Sequence, residues 1–130
     1  MSLLVLLLAC GSGKVDNSSI PSSVGDSMLP TMELMLQGTS VVAEIADSEA
    51  ERQQGLMHRE SLQTDHGMLF VYPDEDLRYF WMKDTPLPLS IAFVNSEGMI
   101  VNISDMTALS EKTVPSVLAA QYALEMNRGW

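Results

Sequence analysis

The sequence predicts a mainly β domain, an antiparallel sandwich or barrel-like fold with one short α-helix near residues 48–56. Short runs of alternating apolar and polar residues recur between turn residues, which is the pattern of strands with one buried face. Helical patterns are too few for alternating strand–helix units. The 130 residues, 46% of them hydrophobic, are sufficient for the core of one domain.

Two strands and the helix open the predicted domain. Apolar residues alternate over residues 32–36 and 41–45, and Gln37–Gly38 separates the two runs as a turn would. Ser48 and Glu51 then have the spacing of a helix capping box, and a glycine soon afterwards ends the helical pattern.

Five further segments have strand character. Residues 68–72 form a continuous apolar run of strand length, and the composition of Pro73–Asp76 predicts a turn directly after it. The other strands are predicted at residues 77–82, 91–94, 99–103 and 121–126, with a long loop at residues 105–117.

Residues 1–10 predict a lipoprotein signal peptide. Residues 3–9 are apolar, but they are far fewer than the ~20 residues that cross a bilayer. The small residue Ala9 precedes Cys10, and Leu7–Cys10 resembles a bacterial lipobox, in which the cysteine is acylated and becomes the mature N-terminus. The alternative is a buried N-terminal strand that contains an inert cysteine.

Residues 11–31 predict a flexible tether. They are rich in Ser, Gly and Pro, and such a segment cannot bury enough apolar surface to offset the entropy of ordering it. A tether behind a lipid anchor would place a single domain of residues 32–130 outside the cytoplasm, attached to the bacterial cell envelope.

Composition limits the kinds of partner and cofactor that are expected. A net charge of −10 argues against a nucleic-acid partner, which needs a basic surface. The single cysteine, Cys10, excludes an intrachain disulfide and, if acylated, also a cysteine nucleophile. No cofactor is predicted.

Five blocks in unbroken order between residues 32 and 130 carry a family resemblance. They are Glu51–Leu62, Gly67–Val71, Phe80–Thr85, Pro88–Phe93 and Tyr122–Asn127. Together they resemble the bacterial and archaeal domain-of-unknown-function 192 family, DUF192. The resemblance implies a mainly β, sandwich-like domain, often secreted or lipid-anchored, with no established activity. It also implies that the closing C-terminal segment of the domain is missing after Trp130, and that Asp84 and Ser90 replace the more usual Asn and Asp.

The bend at residues 80–89 is the first candidate site. Trp81 and Lys83 share one parity of a strand-like run, so they would project from the same face, and Asp84 follows. A partly exposed ring beside an ammonium group suits a small anionic or sugar-like ligand. Alternatively, Trp81 closes one end of the barrel while Lys83 neutralises Asp84.

Arg59, Glu125 and Asn127 are further candidate ligand-binding residues, with Arg52 nearby in sequence. Arg59 follows the predicted helix, and Glu125 shares a face of the last strand with Asn127. An Arg–Glu pair that ties the helix to the sheet is one interpretation. Arg59 at the rim of a pocket, where it would clamp an anion, is the other.

Two other chemistries have weaker support. Soft Met and His ligands suit Cu(I) outside the cytoplasm, and the candidates would be His58, His66, Met57 and Met68. Methionine is also an ordinary core residue and no specific ligand spacing occurs, so no metal site is predicted. The acids of Asp74–Asp76 could serve glycoside hydrolysis, although acids in a turn are usually solvated.

The leading hypothesis is a lipid-anchored, extracytoplasmic domain that binds a small ligand through the bend at Trp81–Pro88 or associates with an envelope protein. One alternative is an uncharacterised hydrolase that uses acidic residues near the same bend. The other is a structural or interaction protein with no small-molecule site. A cleft at the bend favours the ligand-binding hypothesis. Carboxyl groups of raised pKa in that cleft favour the hydrolase, and a flat apolar patch favours the interaction protein.

The lipid anchor is testable at Cys10. A Cys10→Ser variant removes the acceptor thiol, so we expect unprocessed precursor or release from the membrane fraction. Membrane fractionation of cells expressing each form measures this directly, with Ser12→Ala as the matched control. Identical fractionation of Cys10→Ser and the parent chain would refute lipidation.

Overall fold

The computed structural model describes Leu7–Leu8 and residues 29–130. Nine strands and one helix follow one another along this part of the chain. In order they are β1 (Leu7–Leu8), β2 (Thr31–Leu36), β3 (Thr39–Ala46), α1 (Glu49–Gln54), β4 (His66–Asp76), β5 (Tyr79–Phe80), β6 (Leu89–Val94), β7 (Ile100–Met106), β8 (Val114–Pro115) and β9 (Ala120–Asn127).

The predicted mainly β fold with one short helix is confirmed. Seven strands form one sheet in the order β1-β2-β3-β4-β9-β6-β7, and β5 pairs with β8 in a small second sheet. Strand pairing is antiparallel, as predicted, except that β3 and β4 run parallel. Parallel neighbours need a crossover connection, and residues 47–65, which include α1, supply it. The chain thus contains one strand–helix–strand unit that the sequence did not predict.

Each face of the large sheet carries its own core, because side chains alternate along the strands. The face that α1 covers holds the helix-side core, which includes Phe70, Phe93 and Leu56. The opposite face holds the hairpin-side core, which includes Leu34 and Leu69. Consecutive residues of β4 and β9 therefore belong to different cores.

Helix α1 is short but well capped. The Ser48 side chain accepts a hydrogen bond from the backbone N–H of Glu51 at 3.2 Å, and the Glu51 carboxylate accepts one from the backbone N–H of Ser48 at 3.0 Å. The hydrogen bond from the Ser48 backbone is the main cause that lowers the pKa of Glu51. Gly55, with φ 47, ends the helix as predicted, and an added Cβ there would lie 3.3 Å from the ring of Phe70. The capping box therefore holds six helical residues that would not form a stable helix alone.

Phe80 anchors the segment that follows β4. Its buried ring makes edge-to-face contacts with Phe70, Phe93 and Tyr72, at centroid distances of 5.0, 5.6 and 6.4 Å. The next turn is fixed by backbone hydrogen bonds, among them one from the Thr85 N–H to the Met82 carbonyl at 3.1 Å. The predicted bend is thus a rigid turn on the helix-side core.

Three local predictions were wrong. Pro73–Asp76 is the end of β4 and not a turn, with an irregular register to β9 between Val71 and Asp76. Residues 77–82 contain only the two-residue strand β5, because the chain there bends around Phe80. The predicted loop at 105–117 contains β8, which pairs with β5.

The N-terminal predictions fall largely outside the described residues. Leu7 and Leu8 pair with Met35 and Leu34 at the sheet edge, as the alternative of an N-terminal strand would require. Cys10 and most of the predicted tether lie outside the described part of the chain. Across that part, no helix has the length and apolar character needed to span a membrane.

The ring cluster around Phe80 predicts a difference between two adjacent positions. Phe80→Leu removes three edge-to-face contacts from the core and should lower the free energy of unfolding by about 1–2 kcal/mol. Tyr79→Leu is the matched control, because Tyr79 is 64% exposed, and its effect should stay within about 0.5 kcal/mol. Urea denaturation of both variants measures the two values, and equal losses would contradict the role of Phe80.

Candidate functional site

A cleft of about 390 Å³ lies between helix α1 and the turn at residues 81–85, over strands β4 and β9. Its lining brings together residues from all four elements. They include Glu49, Arg52, Tyr72, Tyr79, Trp81, Lys83, Thr85 and Glu125. The volume suits a small organic molecule. Three of the six predicted ligand-binding residues, Trp81, Lys83 and Glu125, line this cleft.

Trp81 and Lys83 form an exposed aromatic–cation pair at the cleft. The Trp81 side chain is 45% exposed, and the Lys83 Nζ lies 5.3 Å from its ring centroid. Among the described residues no ion pair joins Lys83 to Asp84. Trp81 therefore does not plug the barrel, and the Lys83 charge remains available to a ligand.

Arg52 contributes a second positive charge. Its guanidinium donates hydrogen bonds to the backbone carbonyls of Asp47 at 2.6 Å and Val71 at 2.9 Å, and lies 4.9 Å from the Tyr72 ring centroid. These contacts fix the position of the guanidinium between α1 and β4 without neutralising it. Within residues 29–130 no carboxylate forms an ion pair with Arg52.

Tyr72 lies between two arginines. The Arg78 guanidinium is 3.8 Å from the ring centroid, on which Arg52 also packs. Burial raises the pKa of the Tyr72 hydroxyl, and the arginine charges oppose this rise. The phenol is therefore neutral at physiological pH and can donate a hydrogen bond.

Glu125 is the least expected group in the cleft. Its side chain is 4% exposed, and burial raises the pKa of its carboxyl from an ordinary 4.5 to about 8. No residue in the described part of the chain forms a hydrogen bond or ion pair with it. Every fully enclosed side-chain N or O atom of the described residues has a partner, so the unpartnered Glu125 carboxyl keeps a small accessible area, and the residue lines the cleft. At neutral pH this group is mostly a protonated acid.

The other three predicted ligand-binding residues do not line the cleft. Arg59 makes a two-pronged contact with Glu44 on β3, at 2.5 and 2.7 Å, and does not pair with Glu125. The Asn127 amide donates to the Leu62 carbonyl at 2.9 Å. Asp84 is exposed, and its backbone carbonyl accepts from the N–H of His58 at 2.7 Å. An Arg–Glu tie to the sheet exists, but its acid comes from β3.

The acids of the predicted hydrolase site lie elsewhere. Asp74 forms an ion pair with Arg78 at 3.0 Å, and Glu75 accepts a hydrogen bond from the Ser96 N–H at 2.6 Å. Hydrogen bonding from the Ser96 side chain, and then from its backbone, lowers the pKa of Glu75. Asp76 accepts from the backbone N–H of Leu77. None of the three acids lines the cleft.

The candidate metal ligands are dispersed. Met68 is buried in the helix-side core, Met57 lines the cleft and His58 is exposed. The Nδ1 atom of His66 lies 3.0 Å from the Thr64 carbonyl oxygen. Over the described residues, no group of three or more His, Cys, Asp or Glu side chains could hold a metal ion.

A second hollow, of about 650 Å³, lies on the opposite face of the sheet. Its lining is mainly apolar and includes Leu69, Leu124, Met126, Ile103 and Trp130. It contains none of the predicted site residues. It is concave, whereas the interaction-protein alternative predicted a flat patch.

Arg52, Tyr72, Tyr79 and Thr85 line the cleft but were not among the six predicted ligand-binding residues. Tyr72 could have been found from its parity, since it shares a strand face with Met68 and Phe70. The place of Arg52 follows from the parallel crossover, which local sequence patterns do not reveal.

The comparisons with known proteins identify the family. The model of the DUF192 family, described as an uncharacterized ACR, matches residues 32–130. The chain belongs to this family. No curated protein matches it.

Two solved structures resemble the chain. One is a proposed transcription regulator from Sinorhizobium meliloti 1021, with 37% identity, a TM-score of 0.69, and coverage of 70% of this chain and 71% of that chain. The other is a protein of unknown function from Novosphingobium aromaticivorans DSM 12444, with 30% identity, a TM-score of 0.75, and coverage of 90% and 89%. Neither resemblance assigns an activity to this DUF192 protein.

The buried acid predicts a specific pH dependence of stability. Because folding raises the pKa of Glu125, the unfolded chain gains relative stability as the pH rises from 4.5 to about 8. Glu125→Gln cannot ionise, so at pH 7 it should be more stable than wild type by up to about 3 kcal/mol. The difference should vanish as the pH falls below 4.5.

Urea denaturation of wild type and Glu125→Gln at pH 4, 5.5, 7 and 8.5 measures this. The exposed acid Glu97, changed to Gln, controls for the loss of a surface charge. A constant difference between wild type and Glu125→Gln over this range would show that Glu125 ionises normally.

Proposed function

We propose that this DUF192 domain binds a small anionic or sugar-like ligand in the cleft between α1 and the Trp81–Thr85 turn. One observation carries the proposal: Arg52 and Lys83 both line the cleft, and neither forms an ion pair within the described residues. In a chain with a net charge of −10, two such cations at one concavity form a local site for negative charge.

The aromatic lining supports a ligand with an apolar or sugar face. Trp81 and Tyr79 are both substantially exposed beside the cations, at 45% and 64%. Exposed rings lose apolar hydration when a ligand stacks on them, and sugar or ring faces present matching C–H or π surface. The cations would bind the charged end of such a ligand while the rings bind its face.

An envelope location remains part of the proposal. The lipobox-like Leu7–Cys10 and the Ser-, Gly- and Pro-rich residues 11–31 support a domain tethered by a lipid at Cys10. A domain held at the membrane would meet small solutes or envelope proteins outside the cytoplasm. The similar Sinorhizobium protein is described as a proposed transcription regulator, but the acidity of this chain disfavours direct contact with nucleic acid.

A hydrolase is the second candidate, and Glu125 is the observation that favours it. A carboxyl with a pKa near 8 in a cleft is a competent general acid at neutral pH. Hydrolysis of a glycoside needs a second carboxylate, and Glu49 also lines the cleft. Turnover of p-nitrophenyl glycosides by the wild-type protein is the test. Loss of this turnover in Glu125→Gln, and separately in Glu49→Gln, would favour this candidate over simple binding.

Lys83 gives the direct test of anion binding. Lys83→Gln removes one of the two unpaired cations and should weaken binding of galacturonate about 5- to 10-fold, the range of a partly exposed charge-assisted contact. Isothermal titration calorimetry measures the affinity. Lys112→Gln is the matched control, because Lys112 is exposed and lies outside the cleft.

Arg52→Gln should weaken the same ligand further but also loosen α1, since its guanidinium holds two backbone carbonyls. Equal affinity in Lys83→Gln, Lys112→Gln and wild type would contradict the proposed site.

A further inference from the structure

We propose that Glu125 recognises the ligand as a neutral carboxylic acid, which donates its O–H to an ionised carboxylate of the ligand on the cleft floor. This inference rests on the proposed function of the cleft and names its ligand class as small organic carboxylates. It assigns to Glu125 a binding role that differs from proton transfer in hydrolysis.

The position of Glu125 favours the neutral form. It occupies the middle of the central strand β9, directly opposite Met68 on β4 and Ile91 on β6. Both neighbours are fully buried and apolar, and they share its sheet face. A carboxylate between two such side chains would lose its hydration without compensation, whereas the acid form avoids most of that cost.

Glu125 has no structural partner in the described chain that would explain its presence. Buried carboxyl groups that serve stability are hydrogen-bonded or ion-paired, as Glu44 is with Arg59. Glu125 lacks any such contact within residues 29–130, and it lines the cleft. An acid of this kind can satisfy its hydrogen-bonding capacity through a ligand.

The surrounding charges select an anion over a cation. Glu49 on α1, at the cleft rim, is the other acid in the lining. The further charged and titratable groups that face the cleft are Arg52 from α1, Tyr72 from β4, Tyr79 from β5 and Lys83 from the turn at residues 81–85. An ammonium ligand would have to ionise Glu125 and approach two cations. A carboxylate ligand is attracted by both cations and accepts a short, charge-assisted O–H···O⁻ hydrogen bond.

This arrangement couples binding to one proton. If only protonated Glu125 binds the carboxylate, the affinity is nearly constant below pH 7 and falls as Glu125 ionises, with its pKa of about 8. Between pH 7 and pH 9 the dissociation constant should therefore rise about tenfold. The direction is opposite to that expected for an ammonium ligand, which would bind more tightly as Glu125 ionises.

Three forms of the domain test this with benzoate and galacturonate as probes. Wild type should bind a carboxylate probe about tenfold more weakly at pH 9 than at pH 7. Glu125→Gln keeps an N–H donor but cannot ionise, so it should bind with an affinity that does not change between these pH values. Glu125→Met fills the same space without a donor and should bind at least tenfold more weakly at pH 7. Calorimetry measures affinity, and circular dichroism checks that each variant is folded.

The outcomes separate this inference from the proposed function. Either of two results overturns the role of Glu125 and leaves the anion site intact. In the first, probe binding depends on Lys83 but is unchanged by Glu125→Met. In the second, wild type binds the probe with the same affinity at pH 7 and pH 9. Absence of binding of both probes and of inorganic phosphate overturns both. Tighter binding of phosphate or of the neutral analogues benzamide and galactose than of the carboxylates overturns the assigned ligand class. A Lys83→Gln variant that shows the same tenfold pH effect confirms that Glu125, and not the lysine, is the titrating group.

Discussion

The pairing of β9 with β4 on one side and β6 on the other is the constraint on which the rest of this structure depends. It joins the N-terminal strands to the β6–β7 hairpin and supplies residues to both cores. β4 and β9 approach so closely that a Cβ at Gly67 would lie 2.5 Å from the Glu125 carbonyl oxygen and 2.3 Å from the Met126 sulfur. Glu125 is thus held in the middle of a central strand that is paired on both sides, which keeps its carboxyl away from the outer surface.

The cleft combines two kinds of support. Its floor belongs to the sheet, where Phe70 and Glu125 each have strand partners on both sides, whereas its walls are short segments fixed by a few specific contacts. The capping box of Ser48 and Glu51 holds α1, and the ring of Phe80 holds the turn that carries Trp81 and Lys83. A small protein is only marginally stable. Keeping an acid neutral in its core substantially lowers the free energy of unfolding at neutral pH, and these contacts must offset that loss.

The sequence predicted features that local chemistry determines. Alternating apolar residues predicted β2 and β3, apolar runs bounded by turn residues predicted the start of β4 and the β6–β7 hairpin, and the capping box predicted α1. Features set by distant contacts were missed. Pro73 lies within β4 because the end of that strand still pairs with β9, and β3 lies parallel to β4 because of the crossover. For the site, strand parity predicted that Trp81 and Lys83 lie together, but it is the turn after β5, and not a strand, that brings them together. Arg59 was placed at the wrong partner, since sequence spacing does not show which acid an arginine reaches across a sheet.

The crossover at residues 47–65 has an implication for how such domains could diversify. It carries Glu49 and Arg52 into the cleft, and it also contacts the sheet along its length, since Leu56 enters the helix-side core and the Leu62 carbonyl accepts a hydrogen bond from Asn127. The exposed residues of α1 could therefore change over generations while strand order and both cores stay the same. Homologous domains that share this scaffold could thus differ in the charge that α1 presents to the cleft without any change in the sheet beneath it.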